Sequence, residues 1–171
     1  EAGSRFKVLS QFDLYNFSFN EQTQSQQVQA QQFEAQITSA ILYVTTEDLP
    51  AVGTLTQHDE SDLPYELRKQ LELENYTVES VSLATSGGVP AGIDILLVNG
   101  PQRDLTAEEV GRLREYLDRG GRMLLQMGLA RQELKGWNDL LSGYGLAVRN
   151  RLVVERDAHL ADRFFPRVRV H

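Results

Sequence analysis

From Ile93 to Val98 the chain is almost continuously apolar, the pattern of a strand buried on both faces. Asn99-Gly100-Pro101 stops that run. Thr106 then has Glu109 three residues on, a capping box. Val110, Leu113, Tyr116 and Leu117 follow at helical spacing, so one helix face is apolar. Glu108–Arg112 and Glu115–Arg119 are i,i+4 pairs in the favourable order. Gly120 falls where a left-handed C-terminal cap is needed. Arg122 to Met127 is a second apolar run. Strand, capped helix and strand make one βαβ unit, and the rest of the chain is organised around it.

The pattern on either side extends that unit. Phe6, Val8, Phe12 and Leu14 alternate, as do Phe17 and Phe19, so Arg5–Asn20 predicts two short strands of a small β appendage. Residues 21–32 are glutamine-rich and read as a connector or the polar first turns of a helix. Phe33, Ile37, Ala40, Ile41 and Val44 share a helical face. Residues 51–56 predict the first strand of the main sheet. Ser61 or Asp62 can cap the next helix, with Leu63, Leu67 and Leu71 on its inner side. Residues 76–83 alternate and suggest a half-exposed edge strand, and 85–90 a loop. Leu134, Trp137, Leu140, Leu141 and Tyr144 mark another helix, and Leu146–Glu155 a last strand. The expected fold is α/β, a flavodoxin-like or class I glutamine-amidotransferase-like three-layer sandwich. Its mainly parallel sheet has order 2-1-3-4-5, with Ile93–Val98 central. The expected division is 1–32, appendage and connector, and 33–171, the α/β domain.

Bulk properties narrow the function. The 171 residues suit one α/β domain with an appendage. A formal net charge of −7 argues against a nucleic-acid partner, which needs clustered Lys and Arg. Between Glu1 and Glu60 only Arg5 and Lys7 are basic. The absence of cysteine removes thiol nucleophiles, thiolate metal sites and disulfides. No apolar run approaches the roughly 20 residues of a membrane helix. The chain opens without Met and closes on a strand-like run, so the expectation is a piece excised from a longer protein.

In open parallel sheets, ligands bind outside the carboxyl ends of the strands. Loops 57–60, 99–104 and 128–133 would meet there. His58, Asp59 and Glu60 are the compact cluster of proton-transferring groups, and Asn99 and Gln102 would line the same rim. A metal would need Asp104 or Glu133 as well, and the reading is solvated loop acids with no metal and no cofactor. The G-x-S-x-G elbow is absent, and Ser86 precedes the buried strand instead of following it. Glu108 and Glu109 suit the positive end of a helix dipole. Neither G-x-G-x-x-G nor G-x-x-x-x-G-K-[ST] occurs. Trp137 reads as core.

Several stretches together resemble the auxiliary components of gliding-motility-type ABC transport systems. Residues 34–45, E-A-Q-I-T-S-A-I-L-Y-V-T, look like that family's E-x-x-[IL]-T-x-A-I-x-Y-V-T helix. Gln57-His58-Asp59-Glu60 stands where the family carries Gly-His-Gly-Glu. Asn75-Tyr76-Thr77-Val78 is similar to its N-Y-x-V strand entry. Asp94–Pro101, Leu105–Glu109 and Tyr116–Arg122 resemble its central D-x-L-[LV]-[VI]-x-G-P, L-[ST]-x-E-E and Y-L-x-x-G-G-[RK] blocks. Leu140-Leu141, Tyr144–Leu146 and Leu152–Glu155 are similar to its close. The likeness runs from about Arg5 to Glu155. It departs at Gln57 and Asp59, where the family has glycine, which puts the tight turn around His58 in question.

The resemblance implies an extracytoplasmic, non-catalytic binding or scaffold domain of a transporter accessory subunit, not an enzyme. Its partners would be an ABC permease and ATPase, and the full-length protein would be membrane-anchored. The rim candidates are His58, Asp59, Glu60, Asn99 and Gln102. The alternatives are a degenerate amidotransferase-like hydrolase using His58 as base, and a small-ligand or glycan sensor using the same rim.

Overall fold

The computed structural model describes residues 5–20, 24–151 and 154. A short helical turn, α1 (Gln11–Leu14), leads into strand β1 (Tyr15–Asn20), which pairs antiparallel with β2 (Ser25–Gln31). Helix α2 (Phe33–Thr45) follows. The main sheet is built from β3 (Ala51–Leu55), β4 (Thr77–Val81), β5 (Ile95–Asn99) and β6 (Arg122–Gln126). Its helices are α3 (Tyr65–Leu73), α4 (Leu83–Ser86), α5 (Ala107–Asp118) and α6 (Lys135–Ser142).

The strands are ordered β4-β3-β5-β6, every pairing parallel. This is the first four places of the expected 2-1-3-4-5 order, with β5 internal and β4 at an edge. The fold is a flavodoxin-like α/β sandwich. The expected fifth strand is not seen at residues 146–151, which form no regular element, and most of 152–155 lies outside the described residues.

The core forms where the apolar pattern was densest. Leu96 and Val98 of β5 are fully buried. They meet Leu113 and Tyr116 of α5 and Trp137 and Leu140 of α6 in one cluster. Tyr116 ties this layer to the sheet: its hydroxyl donates to Arg122 O (2.9 Å) and accepts from Arg122 N (3.1 Å). Gly121 lies against that ring, so close that a Cβ would collide with it. Gly120 takes φ 90°, which ends α5 in the left-handed turn expected there.

Four local expectations are corrected. Phe12 and Leu14 belong to a helical turn, because Ser10 caps it: Asp13 accepts from Ser10 N and Oγ, both at 2.7 Å. The glutamine-rich stretch is strand β2, ordered by backbone pairing with β1. Helix α3 starts after Pro64, not at Ser61 or Asp62. Those two residues are drawn to β5 instead, Ser61 N donating to Asn99 O (2.8 Å). Residues 83–86 form a helical turn capped by Ser82, closed by Gly87 at φ 72°.

Helix α2 forms as its pattern predicts but is turned the other way. Gln36 and Ser39 are buried, whereas Ile37 and Ile41 are about half exposed. Polar bonds set this orientation. Ser39 Oγ donates to Leu73 O (2.5 Å), and Asn75 Nδ2 donates to Ser39 O (2.7 Å).

Candidate functional site at the strand ends

Strand β3 ends in a tight turn that points His58 inward. Gln57 and Asp59, on either side, take φ 85° and 55°. These are left-handed values that glycine adopts most easily, so the turn is kept without the family's glycines. The His58 carbonyl accepts from Gln102 N (2.8 Å) and Arg103 N (2.9 Å), which joins this loop to the one after β5. His58 N donates to Glu60 Oε2 (2.8 Å).

His58 is 4% exposed. Its Nδ1 lies 3.2 Å from Glu60 Oε1 and its Nε2 3.3 Å from Glu109 Oε1. The ring meets Trp137 edge-on at 6.2 Å between centroids. Burial alone would lower the His58 pKa, but hydrogen bonds and charge from Glu60 and then Glu109 outweigh it, and the net direction is upward. For Glu109, burial pushes up, while the Thr106 amide, the Thr106 hydroxyl and His58 pull down, and the net direction is downward. Both shifts favour the charged forms of the two groups, and each ring nitrogen is occupied by a carboxylate oxygen.

The other rim candidates are also engaged. Asn99 Nδ2 donates to Ser61 O (3.0 Å) and Asp62 O (3.2 Å), bridging β5 to the entry of α3. Gln102 Nε2 donates to Gly100 O (3.3 Å) and reaches Leu129 O (3.5 Å). Asp59 is exposed and lies 3.8 Å from exposed Arg103. The three expected loops do meet, and backbone and amide bonds hold them together.

Asp104 and Glu133, the two acids weighed as metal ligands, diverge. Asp104 Oδ1 accepts from Leu105 N (3.0 Å), Gly136 N (2.8 Å) and Trp137 N (3.3 Å), so it caps α6 from a distant loop. A side chain on Gly136 would overlap the Leu105 carbonyl, which explains glycine at that close approach. Glu133 lines a separate cleft of about 440 Å³ beyond β6, with Met127, Asn138, Val148 and Arg149. A smaller polar cleft of about 290 Å³ beside β3 is lined by Thr54, Gln57, Asp59, Glu60, Asp62 and Arg68. Among the described residues, no group of three or more acids and histidines is placed to hold a metal.

Sequence reasoning missed Glu109 as a partner of His58. The capping box identified its bonds to Thr106, at 2.9 and 2.8 Å in the structure. Its other oxygen is turned to a histidine on the loop after β3, two strands earlier along the chain, which no local spacing reveals.

A parallel sheet whose strand-end loops are tied mainly to one another defines a flavodoxin-like α/β domain. The model of the family described as an ABC-type uncharacterized transport system, an auxiliary transport component, matches residues 49–162. The chain belongs to that family, as an accessory domain associated with ABC-type transport. It carries no cysteine, and Asn-Gly-Pro stands after the central strand where an amidotransferase would need its nucleophile. A solved structure titled mmIFT52 N-terminal domain is 26% identical, with a TM-score of 0.54, covering 64% of this chain and 51% of that one. This chain thus spans about half the length of that structure. No curated protein matches it. Among the described residues no helix is long and apolar enough to cross a membrane.

Proposed function

We propose that this chain is a non-catalytic scaffold domain on the extracytoplasmic face of the cell membrane. It belongs to a membrane-anchored accessory subunit and works on an ABC permease and its ATPase. Residues 33–171 form the working α/β unit, with 1–32 an appendage.

The observation that carries the reading is how the strand-end groups are used. His58 is buried between Glu60 and Glu109, and Asn99 bridges two loops. Groups that would bind or turn over a substrate are instead spent on holding the rim rigid, as a docking platform requires. Family membership supplies the transporter context. The test is reconstitution of the permease–ATPase complex with and without this accessory protein. The expected result is a stable complex and a changed ATP hydrolysis rate on addition of the domain. A permease–ATPase that neither binds the domain nor changes its rate would overturn the proposal.

A second reading, a small-ligand sensor, draws support from the polar cleft beside β3. Arg68 stands there, partly buried, with no ion pair among the described residues. Asp59 and Glu60 share that wall, and with His58, Asn99 and Gln102 they make the rim through which such a ligand would act. Calorimetric titration with polar small molecules checks it; Arg68→Ala should abolish any binding seen.

A further inference from the structure

Beyond the carboxyl end of β6 lies the cleft of about 440 Å³, a volume typical of small-molecule pockets. It opens between the loop after β6 and residues 148–151, outside the strand ends, where open parallel sheets bind their ligands. Two asparagines fix its walls. Asn150 Oδ1 accepts from Ala130 N (2.9 Å), and its Nδ2 donates to Ala130 O (2.7 Å). Asn138 Oδ1 accepts from Val148 N (2.8 Å), and its Nδ2 donates to Val148 O (3.0 Å). Each side-chain amide pairs with a backbone unit in both directions, so residues 148–150 are held to the β6 loop and to α6 at once. Walls pinned in this way spare a ligand the cost of ordering them.

We propose that this cleft binds a small amphipathic monoanion, an apolar body carrying one carboxylate. Buried Leu134 and half-buried Met127 and Val148 line it and suit a hydrocarbon body. Charge selects the head. Arg149 and Arg151 share one wall, drawn together by a tight turn in which Arg151 N donates to Arg149 O (2.7 Å). Both are exposed, and neither is in an ion pair among the described residues. Their planar, forked guanidinium groups match a carboxylate. Glu133 lines the same cleft and offsets one of them. Two arginines against one glutamate leave one net positive charge, in a chain whose formal net charge is −7. That balance suits a single negative charge, is half of what a phosphate dianion would need, and repels a cation. The polar groups around His58 are bonded to one another, whereas the charged groups of this cleft are left for a ligand.

The test is a titration of the isotope-labelled 171-residue chain with octanoate, octanol and octylammonium, followed by nuclear magnetic resonance at the Asn138 and Asn150 side-chain amides. Octanoate is expected to shift both amides saturably. It should bind about fivefold more tightly than octanol, the fold-change that exposed ion pairs supply. Octylammonium should bind more weakly than either. Arg149→Gln combined with Arg151→Gln should bring octanoate down to the octanol level and leave octanol unchanged, which shows the cavity intact. Glu133→Gln should act in the opposite direction and tighten octanoate. All three positions are exposed, so the melting curves should coincide with that of the parent chain. Octanoate that leaves both asparagine amides unshifted overturns the proposal. So does octanol or octylammonium binding as tightly as octanoate, or octanoate binding indifferent to the double arginine variant. Inorganic phosphate that displaces octanoate at equal concentration would make the arginines a general anion site and also overturn it.

Discussion

Gln57 and Asp59 hold φ 85° and 55° to keep His58 pointing inward. A non-glycine residue in that region is strained by roughly 1–2 kcal/mol. Gln57 recovers part of this through Ser82, whose hydroxyl donates to Gln57 Oε1 at 2.8 Å, but that bond is solvent-exposed. Gln57→Gly is therefore expected to raise stability, by up to about 1 kcal/mol in urea titrations. A loss of stability would mean the Ser82 bond outweighs the strain. Gln36 carries a different local cost: its buried Oε1 has no hydrogen-bond partner. Gln36→Met, of similar shape without the orphaned oxygen, should stabilise the fold by about 1 kcal/mol, read by the same titration. The turn around His58 was foreshadowed in the sequence by the glycines the family carries there. The burial of the imidazole was not, since it depends on Glu109 arriving from α5.

At the scale of elements, the His58–Glu109 contact joins the β3 loop to the first turn of α5, and its strength depends on pH. The His58 pKa is raised, so its stabilisation is complete below the unfolded imidazole value of about 6.5 and is lost as pH rises through the folded value. The Glu109 pKa is lowered, so its share is present above the unfolded carboxylate value of about 4.3 and is lost as pH falls through the folded one. Glu109→Gln should remove one of the two carboxylates that hold His58 charged, and the alkaline decline of stability should then begin at lower pH. Urea titrations across the pH range check this; an unmoved alkaline limb would show that Glu60 alone sets the His58 charge. The elements themselves were largely legible. The apolar run of β5, the Thr106–Glu109 box and the Gly120 stop are local signals, and each is found where expected. The misread elements were fixed from a distance. Strand β2 is made by pairing with β1, not by the preference of glutamine. The orientation of α2 follows from Ser39 and Asn75, two polar residues invisible to an apolar-face argument. The start of α6 depends on Asp104, thirty-odd residues upstream on the scale of one βαβ unit.

For the whole molecule, a rigid sheet carries loops whose polar groups bond mainly to one another, and this bears on whether the domain does chemistry. Leu96, fully buried at the centre, measures the rigidity: Leu96→Ala should cost about 2–5 kcal/mol in denaturant melts. A cost under about 1 kcal/mol would place it outside the core. Chemistry needs more than rigidity. His58, the one histidine at the strand ends among the described residues, is buried with each ring nitrogen facing a carboxylate, Glu60 or Glu109, so neither nitrogen is placed to take a proton from a substrate. The turn after β5 offers an amide, Asn99, already donating to two carbonyls, and the chain has no thiol. The purified domain is expected to show only background turnover with activated esters and with glutamine. His58→Gln should leave that background unchanged while lowering stability. Replacing the imidazole removes the group that bonds both Glu60 and Glu109, a loss of about 1–3 kcal/mol, as for partners left unsatisfied in a buried site. Turnover well above background that vanishes in His58→Gln at unaltered stability would make the 57–60 loop catalytic. A variant that loses stability and no activity assigns His58 to the architecture of the docking rim.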